Sequence, residues 1–487
     1  MTFELAVPLR EALVAADYTY DGVAGLLGTT AHAALSRNET TPGLRGTGGG
    51  SPLETLTRLF LLQTPVALDE AEAALPGLVD RMCNAGLLEQ SISEVAARLD
   101  VRPYAAPDDR GERDLWIVSD LTPGLDGSPN SVGSDHVLGI SSASSSLAQL
   151  TIREPVARAL DLGTGCGVQA LHLAGHAAQV VATDVNKRAL WMTGLNAALN
   201  QAEGIEVRDG SFFEPVAGET FDLIATNPPF VISPATGERL VYRDSGLPGD
   251  RVVEDIVRAA PGHLNEGGWC QILANWVISR GTPWEERLGS WLDGSCAAFV
   301  VQREVVDPAT YVELWLKDAG LQGSGDYLHR YDTWLAWFEE QGIEAVGFGW
   351  INLRKGSSTA TEFLDWPYDV EQPIAPAIGQ WGEALELSID EHARLVVRPD
   401  VIQETVGEPG AADPESIVLR QQRGLRRARK VDTVEAALVG ACDGDLTVGQ
   451  ILDAVAQLLD LDAAETRGTY LPVVDELARQ GYLVTPA

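Results

Sequence analysis

The chain has 487 residues, of which 70 are acidic and 35 are basic, so its formal net charge at pH 7 is −35. A single hydrophobic core stops growing well below this length, so we expect more than one domain. The acidity argues against a protein that binds nucleic acid mainly by neutralising phosphates, unless one local surface is cationic. No apolar run approaches the roughly 18 residues that span a bilayer, and acidic Glu4 stands where a signal peptide is basic.

The cysteines and histidines indicate a reducing compartment and no metal. The five cysteines are scattered and form no Cys-x-x-Cys pair or Cys/His cluster, which argues against disulfides and zinc. His172 and His176 are four residues apart on an expected helix, but no third ligand is near them in the sequence, so we interpret them as packing or surface residues. We therefore expect a cytoplasmic protein that needs neither a metal nor a membrane.

Residues 1–95 are predicted to be a mostly helical N-terminal domain, because apolar residues recur there at helical spacing. Residues 96–136 are predicted to form a β-hairpin, with a polar turn at 108–111, followed by a linker rich in Gly, Pro and Ser. Within 68–90 the pattern is a helix, a turn and a short strand, and 471–484 repeats it. Both segments resemble the recognition helix and wing of winged-helix modules.

A different pattern begins near residue 150, where strands and helices alternate up to residue 356. This alternation predicts an α/β fold with a doubly wound, Rossmann-like parallel sheet, and we place the corresponding domain at 137–356. The seven expected strands are 157–162, 179–183, 205–208, 221–226, 268–274, 298–305 and 345–353. Residues 357–487 are predicted to form a C-terminal α+β domain, with strand-like residues over 384–398, a loop over 403–416 and helices over 433–487.

A glycine-rich turn follows the first strand of this domain and opens a helix at about Val168. Its residues are Asp161, Gly163, Thr164, Gly165 and Gly167. Glycine lets a backbone pass close to a ligand without a clash from Cβ, so the turn predicts a nucleotide-like cofactor. The dinucleotide-binding fingerprint needs glycine where Val168 stands, which disfavours an oxidoreductase. A tight turn without a ligand is the alternative.

Polar side chains follow the next two strands. Asp184, with Asn186 just after it, is placed to accept hydrogen bonds from both hydroxyls of a ribose. The alternative is a cap of the helix that follows. After the third strand, Asp209 is a candidate to bind an adenine amino group, with Phe212 packed on the ring. An ordinary β-to-α turn would have the same sequence.

The fourth strand ends in Asn227-Pro228-Pro229-Phe230. Two consecutive prolines fix φ and remove two backbone donors, which leaves their carbonyls exposed in a preset direction. The Asn227 amide oxygen and the Pro228 carbonyl can both accept hydrogen bonds from one NH2 group and so orient a planar amine. Phe230 offers an aromatic face to a base or an amide. We predict that Asn227, Pro228, Pro229 and Phe230 are the catalytic residues.

With these motifs in this order, residues 137–356 resemble the class I S-adenosylmethionine-dependent methyltransferases that methylate amino groups. DLGTGCG, TDVN, RDGSFF and ATNPPF carry the resemblance. It implies S-adenosylmethionine as the cofactor and an enzyme that transfers its methyl group directly to a planar exocyclic nitrogen of a macromolecule. Such targets are adenine N6, guanine N2 and glutamine N5.

Two subgroups of this family share the motifs and stay open. The segment 137–148 resembles the one that precedes the motifs in ribosomal RNA guanine-N2 methyltransferases, and Phe230 is more like that group. Release-factor glutamine methyltransferases usually have Tyr there, but their Gly-containing insert resembles 242–250. We predict RNA, at guanine N2, as the substrate, with a protein glutamine as the alternative. A module that binds S-adenosylmethionine without catalysis is disfavoured by the intact Asn227-Pro-Pro-Phe230 turn.

An RNA substrate would need a cationic contact surface, and 420–430 is the long acid-free basic stretch of this acidic chain. Its basic residues recur every three or four positions, so a helix here would present one cationic face. The predicted substrate-binding residues are Arg420, Arg423, Arg426, Arg427 and Lys430. The alternative is that surrounding acidic residues pair with this face, which would favour a protein substrate.

Overall fold

The computed structural model describes residues 2–108, 111–128, 133, 135–234, 247–387, 389–408 and 414–486. The chain folds into two units, each of which is described by itself. The first comprises residues 1–148, 153–356 and 361–366, and the second comprises residues 149–152, 357–360 and 367–487. The domain boundaries expected after residues 95, 136 and 356 stay predictions.

The first part of the chain is mostly helical and then forms short strands and a hairpin. Its elements are α1 (Ala6–Ala15), α2 (Tyr20–Leu35), α3 (Thr41–Gly46), α4 (Pro52–Leu56), β1 (Val66–Ala67), α5 (Leu68–Ala74), α6 (Val79–Asn84), β2 (Leu88–Gln90), β3 (Glu94–Ala97), β4 (Leu99–Asp108) and β5 (Gly111–Asp120). Within 68–90 the expected helix and short strand are present. Strand β3 pairs with β1 and β2, and β4 with β5, while the hairpin turn at 109–110 lies outside the described residues.

The central part of the first unit alternates strands and helices as predicted. Its elements are α7 (Ser142–Leu150), β6 (Val156–Leu162), α8 (Val168–Leu173), β7 (Ala177–Asp184), α9 (Lys187–Leu199), β8 (Ile205–Asp209), β9 (Phe221–Thr226), α10 (Arg251–Ala259), β10 (Leu264–Ser279), α11 (Trp284–Gly289), β11 (Cys296–Val306), α12 (Pro308–Asp318), α13 (Tyr327–Glu340), β12 (Ile343–Lys355) and β13 (Thr361–Asp365). The strand order is β13-β11-β12-β10-β9-β6-β7-β8. All seven expected strands are present, and the α/β, Rossmann-like fold class is confirmed.

The sheet differs from the prediction in two respects. β13 adds an eighth strand, parallel to β11, and β12 runs antiparallel to both β10 and β11, so the sheet is mixed. The middle of β12 is buried like the middles of its neighbours β10 and β11, so its residues carry no sign of its direction. The five residues of β13 are exposed or half-buried, so no apolar run marks this strand.

The parallel strands end together at one edge of the sheet. Leu162 of β6 is paired with Thr183 of β7 and Thr226 of β9, and Asp184 of β7 with Asp209 of β8. Loops after such strands meet at the same edge, which brings the four motifs together. One hydrophobic cluster supports the sheet and contains buried residues from six of its strands: Leu160, Val181, Ile224, Ile272, Val300 and Ile351.

The β4–β5 hairpin is attached to the sheet through helix α9. Asn200 exchanges two hydrogen bonds with the backbone of Trp116, and Asn196, one turn earlier, does the same with Val118. The two asparagines satisfy backbone groups of β5 on the side away from β4. Asn196 Nδ2 also donates to the carbonyl of Cys166 at 2.7 Å. The hairpin is therefore tied to the glycine-rich turn.

The second unit combines short strands with helices. Its elements are α14 (Ala375–Ala384), β14 (Val396–Val397), β15 (Val401–Val406), β16 (Ser416–Gln421), β17 (Ala428–Val431), α15 (Thr433–Ala441), α16 (Val448–Leu458), α17 (Ala463–Arg479) and β18 (Leu483–Val484). β16 pairs with β15 and β17, and β14 with β18. The helices expected over 433–487 are present.

Two expectations for this unit are wrong. Among its described residues, the strand-like stretch 384–398 contains only the two-residue strand β14, and the expected loop 403–416 contains part of β15 and the start of β16. Residues 409–413 of that stretch lie outside the described residues. β15 has no buried residue, so its polar sequence has the composition of a loop although its backbone pairs with β16.

Candidate active site

A cleft of about 1020 Å³ lies where the parallel strands end. The predicted residues that line it come from all four motifs: Asp161, Gly163, Thr164, Gly165, Asp184, Asn186, Phe212, Asn227, Pro228, Pro229 and Phe230. Residues within 136–147 also line it, so the segment that precedes the motifs reaches the cleft as well. Gly167 and Asp209 are not among the described residues that line the cleft.

The glycine-rich turn leaves room for a ligand. Gly163 and Gly165 have φ of +80° and +56°, and a Cβ added at either would meet nothing within 4 Å among the described residues. Gly167 has φ of +83°, and a Cβ there would lie 2.9 Å from the Thr193 side chain, so Gly167 serves the packing of α8 on α9. The backbone N–H groups of Gly163 and Thr164 both donate to the Thr183 carbonyl of β7, each at 2.9 Å. The two glycines that line the cleft fit a cofactor held against the backbone.

Asp161 lies beneath this turn. It is 2% exposed and accepts a hydrogen bond from Thr164 Oγ1 at 2.6 Å. Burial raises the pKa of Asp161 to about 7, against the lowering effect of that hydrogen bond. Near neutral pH the carboxyl group therefore titrates, beside the turn that is predicted to hold the cofactor.

This pKa shift predicts how stability depends on pH. Between about pH 4 and pH 7 the folded protein keeps a proton on Asp161 that the unfolded chain releases. The contribution of Asp161 to the free energy of unfolding is thus present at about pH 4 and lost as the pH rises through about 7. Urea unfolding measures the free energy of unfolding of wild type and of Asp161→Asn. We expect the difference between these two free energies to change by on the order of a few kcal/mol across this pH range. Parallel pH curves for the two proteins would contradict this assignment.

Asp184 has the hydrogen-bonding capacity that a ribose requires. Its carboxylate oxygens accept from the Gly165 N–H at 3.0 Å and from the Asn186 N–H at 2.9 Å. Each oxygen keeps a further lone pair. The alternative role, capping of α9, belongs to Asn186, whose side chain accepts from the Arg188 N–H at 2.9 Å. The carboxylate of Asp184 is therefore available to two hydroxyl groups.

The third motif places an aromatic ring in the cleft. Phe212 lines it with φ of +45°, an uncommon conformation for an aromatic residue. Phe213 is buried and stacks on His263 with ring centroids 4.4 Å apart. Asp209 is exposed at the end of β8, and the residues between it and Phe212 line the cleft. The contact of Asp209 with an adenine amino group stays a prediction.

The Asn227-Pro228-Pro229-Phe230 turn follows β9 directly. Thr226 Oγ1 donates to the Leu162 carbonyl at 2.7 Å, which holds the end of β9 against β6. The Asn227 amide oxygen is buried, and no donor in the described parts of the chain reaches it. A buried acceptor without a partner costs about 1–3 kcal/mol. The cleft is thus lined by a residue whose amide oxygen is a buried acceptor without a described donor.

One wall of the cleft was not predicted from the sequence. It is formed by residues of β11, α12 and β12: Glu304, Leu314, Trp315, Asp318 and Phe348. Trp315 meets the Phe230 ring edge-on, with ring centroids 6.2 Å apart. The one signal for this wall is the helical spacing of Tyr311 and Trp315, which ordinary core packing would also produce.

The basic stretch 420–430 is not a helix, so the expected cationic helix face is wrong. It contains the end of β16, a turn and the start of β17. Buried residues alternate along β16 with the period of a strand, at Ile417, Leu419 and Gln421. Although the arginines are spaced three or four residues apart, they therefore lie on strands and in a turn and not on a helix.

Two arginines of this stretch are paired within the second unit. Arg420 pairs with Glu404 at 3.0 Å, and Arg429 pairs with Glu435 and with Glu476, each also at 3.0 Å. The other predicted substrate-binding residues are exposed or half-buried: Arg423, Arg426, Arg427 and Lys430. Among the five predicted substrate-binding residues, Arg420 is therefore paired with an acidic residue of the same unit, as the alternative interpretation of the basic stretch predicted.

His172 of α8 packs against Tyr104 of the β4–β5 hairpin, and His176 lies half-buried just after the end of α8. His172 Nε2 lies 3.0 Å from the Tyr104 hydroxyl oxygen, and burial lowers the pKa of His172 to about 4.

Among the described residues, no three His, Cys, Asp or Glu side chains are grouped to hold a metal ion. No helix in the described ranges has both the length and the apolarity needed to cross a membrane.

Three segments match known family models. Residues 139–291 match the model described as Methyltransferase small domain. Residues 15–98 and 381–485 match two models that are each described as a Domain of unknown function, DUF7059 and DUF7782 respectively. The Methyltransferase small domain match, the one whose description names a function, therefore covers the four motifs that line the cleft.

Individual relatives match the same central region. A release factor glutamine methyltransferase from Xylella fastidiosa is 35% identical over 131 residues, which cover 24% of this chain and 47% of the relative. One from Yersinia pestis is 33% identical over 178 residues, which cover 34% of this chain and 60% of the relative. A ribosomal protein uL3 glutamine methyltransferase from Bordetella pertussis is 35% identical over 130 residues, which cover 24% of this chain and 44% of the relative. This chain thus spans about half the length of these relatives. Together with the Asn227-Pro-Pro-Phe230 turn, these matches place the central domain among the class I S-adenosylmethionine-dependent methyltransferases that methylate amino groups.

Proposed function

We propose that this protein is an enzyme that transfers the methyl group of S-adenosylmethionine to the side-chain amide of a protein glutamine. The Asn227 amide oxygen carries the proposal, because it is a buried acceptor without a described donor in a residue that lines the cleft. A primary amide can donate one N–H to this oxygen and the other to the Pro228 carbonyl. A module without catalysis would have no use for such an acceptor.

The residues of the cleft divide the work of methyl transfer. When bound, S-adenosylmethionine supplies a methyl group activated by its sulfonium, so no covalent nucleophile is needed. Gly163 and Gly165 would hold the cofactor against the backbone, and Asp184 would accept hydrogen bonds from its ribose. Asn227 and Pro228 would orient the acceptor nitrogen and stabilise the positive charge that develops on it. Such positioning can lower the barrier by up to about 7–11 kcal/mol.

The comparisons favour a glutamine over the RNA guanine predicted from the sequence. The relatives described above are named for a release factor or a ribosomal protein. The charge of −35 and the pairing of Arg420 with Glu404 leave less cationic surface for a phosphate backbone. Phe230 does not separate the two substrates, because its ring face can pack on a planar amide as well as on a base.

Label transfer into a fractionated cell lysate tests the class of substrate. We expect tritium from methyl-labelled S-adenosylmethionine to enter material that survives RNase and is lost on protease digestion. A purified release factor and ribosomal protein uL3 are the first single acceptors to assay, and mass spectrometry should locate one methyl group on a glutamine. The Asn227→Ala variant provides the background. Label that survives protease but not RNase would favour guanine N2, and no label in any fraction would contradict the enzyme proposal.

We propose further that residues 1–95 and 357–487 select the substrate of a methyltransferase domain at 137–356, and that the protein acts in the cytoplasm. Tyr18 of the N-terminal part donates to the Val101 carbonyl and accepts at its own carbonyl from Trp116 Nε1, so residues 1–95 are joined to the β4–β5 hairpin. The hairpin is in turn linked through Asn196 to the glycine-rich turn, which supports a role of the N-terminal part near the cofactor. For the second unit, the exposed Arg423 and Arg426 support contact with an acidic partner surface.

A further inference from the structure

Apart from the φ angles that its two prolines fix, the Asn227-Pro228-Pro229-Phe230 turn has little backbone restraint of its own. Residues 227–232 form no hydrogen bond between backbone groups within the described parts of the chain, and its two prolines have no N–H to donate. The proposed chemistry nevertheless requires the Asn227 amide oxygen and the Pro228 carbonyl to point at one nitrogen. The restraint must therefore come from side chains.

Two buried aromatic side chains hold the backbone of Ile232, and we call Tyr311 and Trp334 the Ile232 clamp. The Ile232 N–H donates to the Tyr311 hydroxyl oxygen at 2.8 Å, and the Ile232 carbonyl accepts from Trp334 Nε1 at 2.9 Å. Ile232 and Tyr311 are fully buried, and Trp334 is 3% exposed, so water does not compete for these hydrogen bonds. The clamp therefore fixes the chain two residues after Phe230.

Tyr311 is itself held in place. Asn275 Nδ2 of β10 donates to its hydroxyl oxygen at 2.9 Å. Its ring lies in an aromatic cluster with centroid distances of 5.8–6.3 Å to Trp315, Trp334, Phe338 and Phe348. Trp315, one turn after Tyr311 on α12, contacts the ring of Phe230. Helix α12 thus contacts Phe230 of the catalytic turn through Trp315 and the backbone of Ile232 through Tyr311. Helix α13 adds a third contact, from Trp334 to Ile232.

Both helices lie beyond residue 291, where the match to the methyltransferase model ends. The clamp is therefore a feature of this chain outside the matched domain. We propose that Tyr311 and Trp334 are positioning residues, which set the orientation of Asn227 and Pro228 through the backbone of Ile232. The inference rests on the proposed function, because it gives these hydrogen bonds a role in methyl transfer.

Tyr311→Phe tests this role, because it removes only the oxygen that accepts from Ile232 and Asn275. We expect hydrogen exchange of the amides of residues 230–233 to become at least about 10-fold faster. We expect kcat for methyl transfer to fall at least about 10-fold, with the affinity for S-adenosylhomocysteine within about 2-fold of wild type. Tyr18→Phe is the matched control for the loss of a buried hydroxyl group, since Tyr18 is equally buried and donates to the Val101 carbonyl at 2.8 Å. It should lose stability without faster exchange at residues 230–233, and its kcat gives the baseline against which the fall in Tyr311→Phe is judged.

The two measurements separate the possible failures. Unchanged exchange at residues 230–233 in Tyr311→Phe would overturn the clamp, whether or not an acceptor is known. Faster exchange with a kcat equal to that of Tyr18→Phe would overturn its catalytic role. If the wild type transfers no methyl group to any acceptor, the proposed function fails, while the exchange experiment still decides whether the clamp exists. Trp334→Phe removes the second hydrogen bond to Ile232 but keeps an aromatic ring, and it should reproduce both effects if Tyr311→Phe does not fold.

Discussion

Asn227→Ala is expected to lower kcat for methyl transfer by about 100- to 1,000-fold, the usual effect of removing a group that stabilises charge in a transition state. Its amide oxygen has no donor among the described residues, so its hydrogen bond forms only with the acceptor nitrogen. For the same reason the free energy of unfolding should fall by no more than about 1 kcal/mol, since no native hydrogen bond of this oxygen is broken. Single-turnover methyl transfer and urea unfolding measure the two quantities.

Asn265→Ala is the matched control for this variant. Asn265 is the second residue of β10 and donates to Asp222 at 2.8 Å, and the described lining of the cleft does not include it. This variant should lose stability because it breaks a hydrogen bond, and its kcat should stay at the wild-type level. Undiminished methyl transfer by Asn227→Ala would exclude the proposed role of the amide oxygen. A large loss of stability in that variant would instead assign Asn227 a structural role.

The residues of the cleft could be predicted because each motif lies within a few positions of the carboxyl end of a strand. Gly165, Asp184 and Asn227 reach the same cleft through three different strands. Parallel strands place such ends along one edge of the sheet, and these three ends are adjacent because β6 lies between β9 and β7. The prediction was unaffected by the antiparallel direction of β12 or the extra strand β13, because neither lies between these strands.

The wall with Trp315 and the Ile232 clamp could not be predicted in this way. Tyr311 and Ile232 are 79 positions apart, and Trp334 and Ile232 are 102 apart. Their contacts depend on how α12 and α13 fold back over the catalytic turn, which no local pattern determines. A buried Tyr or Trp hydrogen bond to a backbone group has no sequence signature, because the backbone partner can be any residue.

The prediction for the basic stretch 420–430 failed for the opposite reason. Its arginines do have a regular spacing, but the spacing was assigned to a helix, whereas the stretch forms strands and a turn. Arginines at a spacing of three or four residues fit a helix, yet charged residues on a surface carry no reliable period. The buried positions decide the structure, and in β16 they are Ile417 and Leu419, which alternate. A capping box at Asp432 then opens α15, directly after the basic stretch. These apolar and capping signals outweigh the spacing of the charges.

Asp184→Ala should weaken the binding of S-adenosylhomocysteine by at least about 100-fold, because a hydrogen bond to a charged group contributes about 1.5–3 kcal/mol and two ribose hydroxyls lose theirs. The same substitution releases the N–H groups of Gly165 and Asn186, which this carboxylate holds at 3.0 and 2.9 Å. The glycine-rich turn would then lose part of its support. Isothermal titration calorimetry of both proteins measures the effect.

Two further variants separate the possible causes of weaker binding. Asp184→Asn keeps one carbonyl-type acceptor and removes the charge, so its affinity should lie between those of wild type and Asp184→Ala. Asp255→Ala removes the same charge from an exposed position on α10 and should bind like wild type, because one carboxylate among 70 acidic residues changes the long-range field little at physiological salt. Equal binding by Asp184→Ala and Asp255→Ala would exclude Asp184 from the cofactor site. An Asp184→Asn affinity equal to that of Asp184→Ala would instead assign the whole effect to the charge, since the neutral amide still offers an acceptor to one hydroxyl.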